Sequence, residues 1–405
     1  MEQKFDIIII GGGIVGLATA YQLSKEFSHL STAVIEKEKE LGAHQTGHNS
    51  GVLHSGLYYT PGSKKAILCL EGKEEMVVFA KENGIAHDIC GKIIVATEEK
   101  ELKNLDKIFQ NGLANGVAGI QKIDGKRIKE IEPYCIGIAG IWVPSSGIIN
   151  YKEVSRKLGE LIESANQKNK IFLGEKCENI SEKNGVSFVQ TNKKTIQGNI
   201  VIFCAGLQAD RMAIKDKLNP GMKIVPFRGD YYELSEKGKK KVRNLIYPVP
   251  DPDFPFLGVH FTRMIDGSVE CGPNAVFAFK REGYTRTAFS LRDALESLTF
   301  RGTWKLFSKH WKQGLEEYKR AFSKKLFLQS LQKLIPDLTM EDIQPARAGA
   351  RAQALDNEGR MIADFKIEFK NNHVHVLNAP SPAATASLAI GRHIVEEIKK
   401  QNILS

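Results

Sequence analysis

Two patterns of apolar and polar positions share this chain. Phe5-Asp6-Ile7-Ile8-Ile9-Ile10 and Ile200-Val201-Ile202-Phe203 are nearly continuous apolar runs, and Thr32-Ala33-Val34-Ile35 is a third. Such runs suit strands buried on both faces of a parallel sheet. Between the Phe5 and Thr32 runs, Ile14, Leu17, Ala18 and Tyr21 recur at helical spacing. Segments 226–234, 247–250 and 257–262 alternate instead, which predicts an antiparallel sheet with one solvated face. Further helices are predicted over 64–83, 98–112, 151–167, most of 290–335, and 386–400. Strands alternating with helices, and then a separate block of alternating strands, predict an α/β chain with two interleaved lobes.

Gly11-Gly12-Gly13-Ile14-Val15-Gly16 joins the first strand to the first helix and fits G-x-G-x-x-G. Gly11 permits the tight turn, Gly13 lets the backbone approach a pyrophosphate, and Gly16 lets the helix lie close to the strand. The helix N-terminus offers free N–H groups and a positive dipole end to phosphates. Glu36 closes the second strand twenty residues after Gly16, where its carboxylate can accept from both ribose hydroxyls of an adenosine. A purely structural glycine turn is the competing reading, and an acid at this distance inside a βαβ unit argues against it. The motif alone does not separate NAD from FAD. Lys37 follows the acid, and the polar, glycine-rich stretch 41–56 is too long for a hairpin turn. Its Thr46, Asn49 and Ser50 can donate to phosphate or flavin carbonyl oxygens, and Gly51 permits close backbone approach. Ala205-Gly206 ends a strand that returns toward the phosphates, and Cys177 joins Ile14 and Val15 as a further candidate cofactor contact.

Ser381 is a good helix N-cap and Pro382 a good first helical residue, ahead of the helix at 386–400. This late helix start, Ser381-Pro382-Ala383-Ala384-Thr385, selects FAD over NAD. Reduction puts negative charge near N1 and O2 of a flavin ring, and a helix N-terminus aimed there stabilises it. Taken alone, the segment also reads as an ordinary capped C-terminal helix. The expected fold class is α/β, with a Rossmann-like FAD-binding domain over 1–86, 151–215 and 340–405. An interleaved substrate domain, built on a mostly antiparallel sheet, occupies 87–150 and 216–339.

At 405 residues, 42% hydrophobic and 26% charged, the chain can bury the cores of two lobes. Its six cysteines are scattered with no C-x-x-C, so no structural disulfide and no metal site is expected, and a reducing cytoplasm fits best. The first strand begins within a few residues of Met1, so no uncleaved leader is expected. No run is long enough to span a bilayer. The formal charge of +10 favours anionic partners: lipid, nucleic acid or an anionic substrate. Nucleic acid is not expected, because no binding motif accompanies the lysines. Trp304, Phe307, Trp311, Tyr318, Phe322 and Phe327 interleave with Lys305, Lys309, Lys312, Lys319, Arg320, Lys324 and Lys325. The expectation is an aromatic side facing the core with a solvated basic face; the alternative is a helix lying on an anionic membrane.

The glycine turn with Glu36, the stretch His48-Asn49-Ser50-Gly51-Val52-Leu53-His54-Ser55-Gly56 and the 380–385 helix start resemble the FAD-dependent oxidoreductases of the D-amino-acid oxidase and glycerol-3-phosphate dehydrogenase superfamily. Segment 49–59, Pro226-Phe227-Arg228-Gly229, Tyr247-Pro248-Val249-Pro250 and segment 378–385 narrow the resemblance to the L-2-hydroxyglutarate dehydrogenases, also called oxidases. The likeness covers essentially the whole chain. It implies noncovalent FAD, a small dicarboxylate hydroxy acid as substrate, 2-oxoglutarate as product, and electrons passed to a quinone or other acceptor. The expected location is cytoplasmic, with the basic aromatic stretch as the candidate for association with the inner face of the cell membrane. Competing activities are a flavin amine oxidase of glycine or D-amino-acid type, a glycerol-3-phosphate dehydrogenase, and a flavin carrier without turnover.

Oxidising a 2-hydroxy acid removes a hydride from C2 and a proton from the hydroxyl. A base with a pKa near neutral suits the proton, which points to histidine. His54, whose loop should reach the flavin, is the first candidate; His260, at the end of a substrate-lobe strand, is the second. His44 and His48 are expected to shape the loop. Arginine grips a carboxylate through two hydrogen bonds, so Arg228, Arg347 and Arg351 are substrate candidates, each equally able to pair with a structural acid. Tyr58 and Tyr247 either hydrogen-bond the substrate or simply pack.

Overall fold

A computed structural model describes residues 3–252 and 256–403 of the chain, which form two large sheets and one short connecting sheet. In the first sheet, Gln3–Ile10 lies between Thr195–Phe203 and Thr32–Glu36, all parallel, and Lys170–Leu173 extends it beyond Thr32–Glu36. His373–Asn378 pairs in parallel with the last residues of Thr195–Phe203, while Val186–Thr191 pairs antiparallel with its first ones. Ile7, Ile8 and Ile9 expose no surface, as an apolar run covered on both faces requires. One cover is the layer of helices Ile14–Glu26, Tyr151–Ala165 and Ser387–Lys400, whose apolar stripes share a single core with the strands. Because the strands are parallel, their carboxyl ends meet along one edge: Ile10 is level with Ile35 on one side and Phe203 on the other. Ligands of open α/β sheets bind at such an edge.

Among the described residues the second sheet has nine strands. Lys223–Leu234 pairs antiparallel with Ile343–Leu355 along its length, and Val269–Gly272, His260–Arg263, Leu245–Pro248, Lys92–Ala96, Ala139–Val143 and Gln121–Asp124 continue the sheet. Among the described residues its one parallel pair is Leu245–Pro248 with Lys92–Ala96, so the expected mostly antiparallel sheet is present. Val52–Leu53, Gly147–Ile149 and His87–Asp88 form the short sheet where the chain crosses between lobes. Leu291–Leu298, Arg301–Phe322 (kinked at His310) and Lys324–Gln332 form the helical block. No helix among the described residues is long and apolar enough to cross a membrane, and all six cysteines are free.

Three expectations change. Ile343–Leu355 belongs to the second sheet, so the last segment of the first domain begins beyond it rather than at 340. Its alternating alanines are weak strand formers, and the strand is held by backbone pairing to a long partner. The C-terminal helix begins at Ser387, and the Ser381 side chain does not cap it. Segment 381–386 instead forms successive turns, with the Ala383 N–H bonded to Pro380 O and the Ala386 N–H to Pro382 O, both at 3.0 Å. Finally, Trp304, Trp311 and Phe322 point outward at 57, 60 and 71% exposure, while Phe307, Tyr318 and Phe327 pack inward. A helix can bury only one stripe, and this segment carries more aromatics than its stripe accepts.

One buried charge cluster pins His373–Asn378, which lies between Thr195–Phe203 and Lys366–Lys370 in the first sheet. Asp216 Oδ2 accepts from His375 Nε2 at 2.8 Å and lies 2.9 Å from His373 Nδ1, and Lys370 Nζ is 3.1 Å from Oδ1. Burial pushes the Asp216 carboxyl up, but the hydrogen bonds from His373, His375 and Lys370 outweigh it and hold the group below the ordinary carboxylate range. A depressed acid stabilises the fold above its unfolded pKa of about 4 and loses that contribution as pH falls through the lowered value. Asp216→Asn should therefore cost about 3 kcal/mol at pH 7, read as an earlier guanidinium midpoint, with the gap to wild type closing in acid. An unchanged midpoint would show that the cluster contributes nothing.

Candidate active site

A cavity of about 1350 Å³ opens along the carboxyl edge of the first sheet and runs under the long ribbon of the second. At one end stands the glycine turn. Gly11 has φ +116°, and a Cβ there would sit 2.3 Å from Cys204 O, so the turn closes only with glycine. A Cβ on Gly16 would lie 2.1 Å from Gly11 O, which is the close helix-to-strand approach. Gly13 faces the cavity: the nearest atom to a Cβ there is Thr46 Oγ1 at 3.6 Å. The Ile14 N–H is bonded to Thr46 Oγ1 at 3.0 Å, and the Gly12 N–H to Glu36 Oε2 at 2.7 Å. The Gly13 and Val15 N–H groups find no acceptor among the described residues. Orphan amides at a helix N-terminus favour an anion.

Most of the predicted cofactor contacts line this cavity: Gly11, Gly13, Ile14, Val15, Glu36 and Lys37 at the turn, then Thr46, Asn49 and Ser50. Cys177, Ala205, Gly206 and the turns Ser381, Pro382, Ala383, Ala384 and Thr385 complete the wall. Gly16 and Gly51 stand behind it. Asn49 is less free than its position suggests, because its amide donates to Gln45 O and Thr46 O and accepts from the Gly51 N–H. Lys37 is bonded to Glu38 at 2.9 Å and to Glu282 at 2.7 Å, so a strap from the second lobe lies over the dinucleotide end. Tyr284 of the same strap stacks on His48 at 4.0 Å and bonds His44 Nδ1 at 2.9 Å. The acid and histidine groups around Glu38 and around Asp216 bring possible metal ligands within 4.8 Å of one another. In both groups a lysine ammonium already occupies the carboxylate, where a metal ion would be repelled.

The C-terminal turns meet the His54 loop through one hydroxyl. Thr385 Oγ1 accepts from the His54 N–H at 3.2 Å, lies 3.0 Å from the Tyr151 hydroxyl, and donates to Val52 O at 3.1 Å. The His54 ring then faces the cavity, as does His260. His260 Nδ1 is 2.9 Å from Gly258 O, which can only accept, so Nδ1 carries the proton and Nε2 keeps its lone pair. Tyr247 stacks on His260 at 4.0 Å. The expectation of a near-neutral base is not met: burial lowers both imidazoles to about 3, with Lys92, Lys65 and Arg351 adding to the effect. Both rings are neutral at working pH.

The arginines part company. Arg228 is buried outside the cavity wall and committed to Asp230, at 2.8 and 3.2 Å. Arg347 is committed to Glu270 at 2.6 Å and to the carbonyls of Gly47 and Asn49, where it braces the loop. Asp230 is two residues along the same strand as Arg228, whereas Glu270 reaches Arg347 from a strand distant in the chain. Arg351 lines the cavity, lies over the Phe256 ring at 5.6 Å and has no carboxylate partner among the described residues. Tyr247 lines it too; Tyr58 sits behind the wall. The sequence reading missed Lys65 and Tyr231, which line the cavity, and Lys92, buried behind it. Acids on the wall, Glu36, Glu38, Glu175, Glu282 and Asp293, all belong to the dinucleotide end.

This wall fits a flavin dinucleotide: free amides and glycine at one end, an acid at ribose distance in the chain, and a second set of turns where a ring would lie. The model of the FAD dependent oxidoreductase family (DAO) matches residues 6–397. An L-2-hydroxyglutarate dehydrogenase of Indibacter alkaliphilus is 47% identical over 97% of this chain and 98% of its own. That of Escherichia coli strain K12 is 43% identical over 98% and 93%. In fold, the chain is similar to L-α-glycerophosphate oxidase of Mycoplasma pneumoniae, solved with FAD bound, at a TM-score of 0.79 and 24% identity over 98% of this chain and 95% of that one. Sequence and architecture agree over both lobes, and the chain belongs to the FAD dependent oxidoreductase family, with FAD as its cofactor.

Proposed function

We propose that this protein oxidises L-2-hydroxyglutarate to 2-oxoglutarate and passes the electrons to a quinone or similar acceptor. The activity is the one for which its full-length relatives are named. One observation carries the reading: Lys65 and Arg351 line the cavity with no ion pair among the described residues, Asp364, which acts on Lys65, stands off the wall, and the acids on the wall lie at the dinucleotide end. A cation pair left open in this way calls for a substrate with two negative charges. An amino acid would bring an ammonium to the same place and be repelled.

FAD, when bound, supplies the hydride acceptor. The chain's own residues do the rest. Arg351 and Lys65 hold carboxylates, Arg351 by a paired fork of hydrogen bonds. His54, anchored through Thr385 to the C-terminal turns, takes the hydroxyl proton. His260, with its Nε2 lone pair fixed by Gly258, accepts a hydrogen bond from substrate and orients it. The orphan amides of the glycine turn bind the cofactor's pyrophosphate.

Under anaerobic conditions L-2-hydroxyglutarate should bleach the flavin, while its D enantiomer, glycine, D-alanine and glycerol 3-phosphate should not. Bleaching by an amine and not by the hydroxy acid would overturn the reading. His54→Gln should keep FAD and slow flavin reduction by roughly 10²–10⁴-fold; an unchanged rate removes His54 from the role. The pH profile supplies a second check. Only the neutral imidazole accepts a proton, and burial keeps His54 and His260 neutral down to about 3. kcat/KM should thus stay flat from about pH 5.5 to 7.5, whereas a free-solution imidazole would impose a decline below about 6.5.

The outward face of the helical block supports contact with an anionic membrane. Leu291, Leu295, Trp304, Trp311, Leu315 and Phe322 are all exposed beside Lys305, Lys309, Lys312 and Lys319. Amphipathic basic faces of this kind bind the lipid interface. The holoprotein should co-sediment with vesicles containing phosphatidylglycerol and release in high salt; the double variant Trp304→Ser, Trp311→Ser should stay in the supernatant. Equal sedimentation of wild type and variant would exclude this face.

A further inference from the structure

Lys92 opens the parallel strand Lys92–Ala96 and is 1% exposed. Its Nζ sits over two aromatic faces, Tyr58 at 4.9 Å and Tyr247 at 5.1 Å. No ion pair among the described residues includes it. The titratable groups that face it come from four elements: His54 and Tyr58 from the loop after Val52–Leu53, Cys69 from the helix Lys64–Glu82, Tyr247 from Leu245–Pro248, and His260 from His260–Arg263. None is an anion at neutral pH. Burial raises the Cys69 thiol to about 12 and holds both tyrosine hydroxyls well above their ordinary value, and the imidazoles are neutral.

Burying an ammonium is costly even after relaxation. Two cation–π contacts at about 5 Å offset only part of that cost, which leaves a deficit. A deficit of this sign, behind Tyr247 and next to both cavity histidines, is relieved by an anion in the cavity. Lys92 is itself lowered to about 8 by burial, so the charge is present at neutral pH and is the first to be lost in mild alkali.

We propose that Lys92 is the specificity-determining residue that makes the site select a doubly over a singly negative hydroxy acid, its buried charge being compensated only when the dianion is bound. The inference rests on the proposed hydroxy-acid oxidation and says which part of the protein sets the charge preference. Lys92 acts through the field in the cavity, not by touching the reacting atoms.

The test uses holoenzyme: wild type, Lys92→Met and Lys92→Arg, each reduced anaerobically by L-2-hydroxyglutarate and by L-2-hydroxypentanoate, which has the same chain length and lacks the second carboxylate. Lys92→Met should weaken half-saturation by the dianion at least about tenfold and leave that for the monoanion within about twofold. Lys92→Arg should keep the preference. In wild type, half-saturation by the dianion should weaken about tenfold per pH unit above about 8, and Lys92→Met should lack that limb. A merely structural lysine would change both substrates equally and leave the limb in place, and that result overturns the proposal. Should Lys92→Met not fold with FAD, the wild-type limb decides: its absence overturns the proposal, its presence with the dianion alone supports it. If L-2-hydroxyglutarate does not reduce wild type at all, the functional reading itself falls and takes this role with it; a reducible wild type with an unaltered preference in Lys92→Met sinks the Lys92 role alone.

Discussion

Three segments far apart in sequence meet at the Thr385 hydroxyl. It receives the His54 N–H, bonds the Tyr151 hydroxyl and donates to Val52 O, so the C-terminal turns, the histidine loop and the helix Tyr151–Ala165 are fixed to one another. Tyr151 is buried, and its hydroxyl lies 3.0 Å from Val52 O as well as from Thr385 Oγ1, so the two hydroxyl protons are shared among three close contacts and the joint has little freedom. A buried network with its members satisfied is rigid. Through this joint the first sheet, which places the glycine turn, also fixes where the His54 ring stands. Dinucleotide end and chemical end are thus parts of one frame.

That frame sorts charge along the cavity. Carboxylates cluster where ribose, lysine and the strap of the second lobe meet, and each is paired: Glu36 with backbone amides, Glu38 and Glu282 with Lys37. At the other end Lys65 and Arg351 have no ion pair among the described residues, and burial strips the histidines of charge. Neutral imidazoles are proton acceptors, and open cations are anion binders. The far end is therefore built for an acidic substrate that must lose a proton.

The parts of this design legible in the sequence are the local ones. A glycine turn and an acid twenty residues on have meaning through spacing alone, and Gly11, Gly13 and Glu36 stand where spacing puts them. Which arginine meets substrate is a tertiary matter. Arg228 and Arg351 lie on paired strands one register step apart, yet Asp230 claims the first while the second faces the cavity. Lys92 reads as a lysine at a strand start, a place where such residues are ordinarily solvated; its burial comes from Tyr58 and Tyr247, distant in the chain. The Ser381 cap misled for a related reason. Capping residues are defined by local preference, and here the segment makes turns that serve the joint at Thr385 before the helix starts.

The most direct measurement is a crystal structure of the FAD-loaded protein with 2-oxoglutarate. The account predicts the flavin ring against the 381–385 turns, one product carboxylate on Arg351, and the keto group on the side of His54 and His260. A ring lying elsewhere, or a product whose carboxylates avoid Arg351 and Lys65, would contradict it.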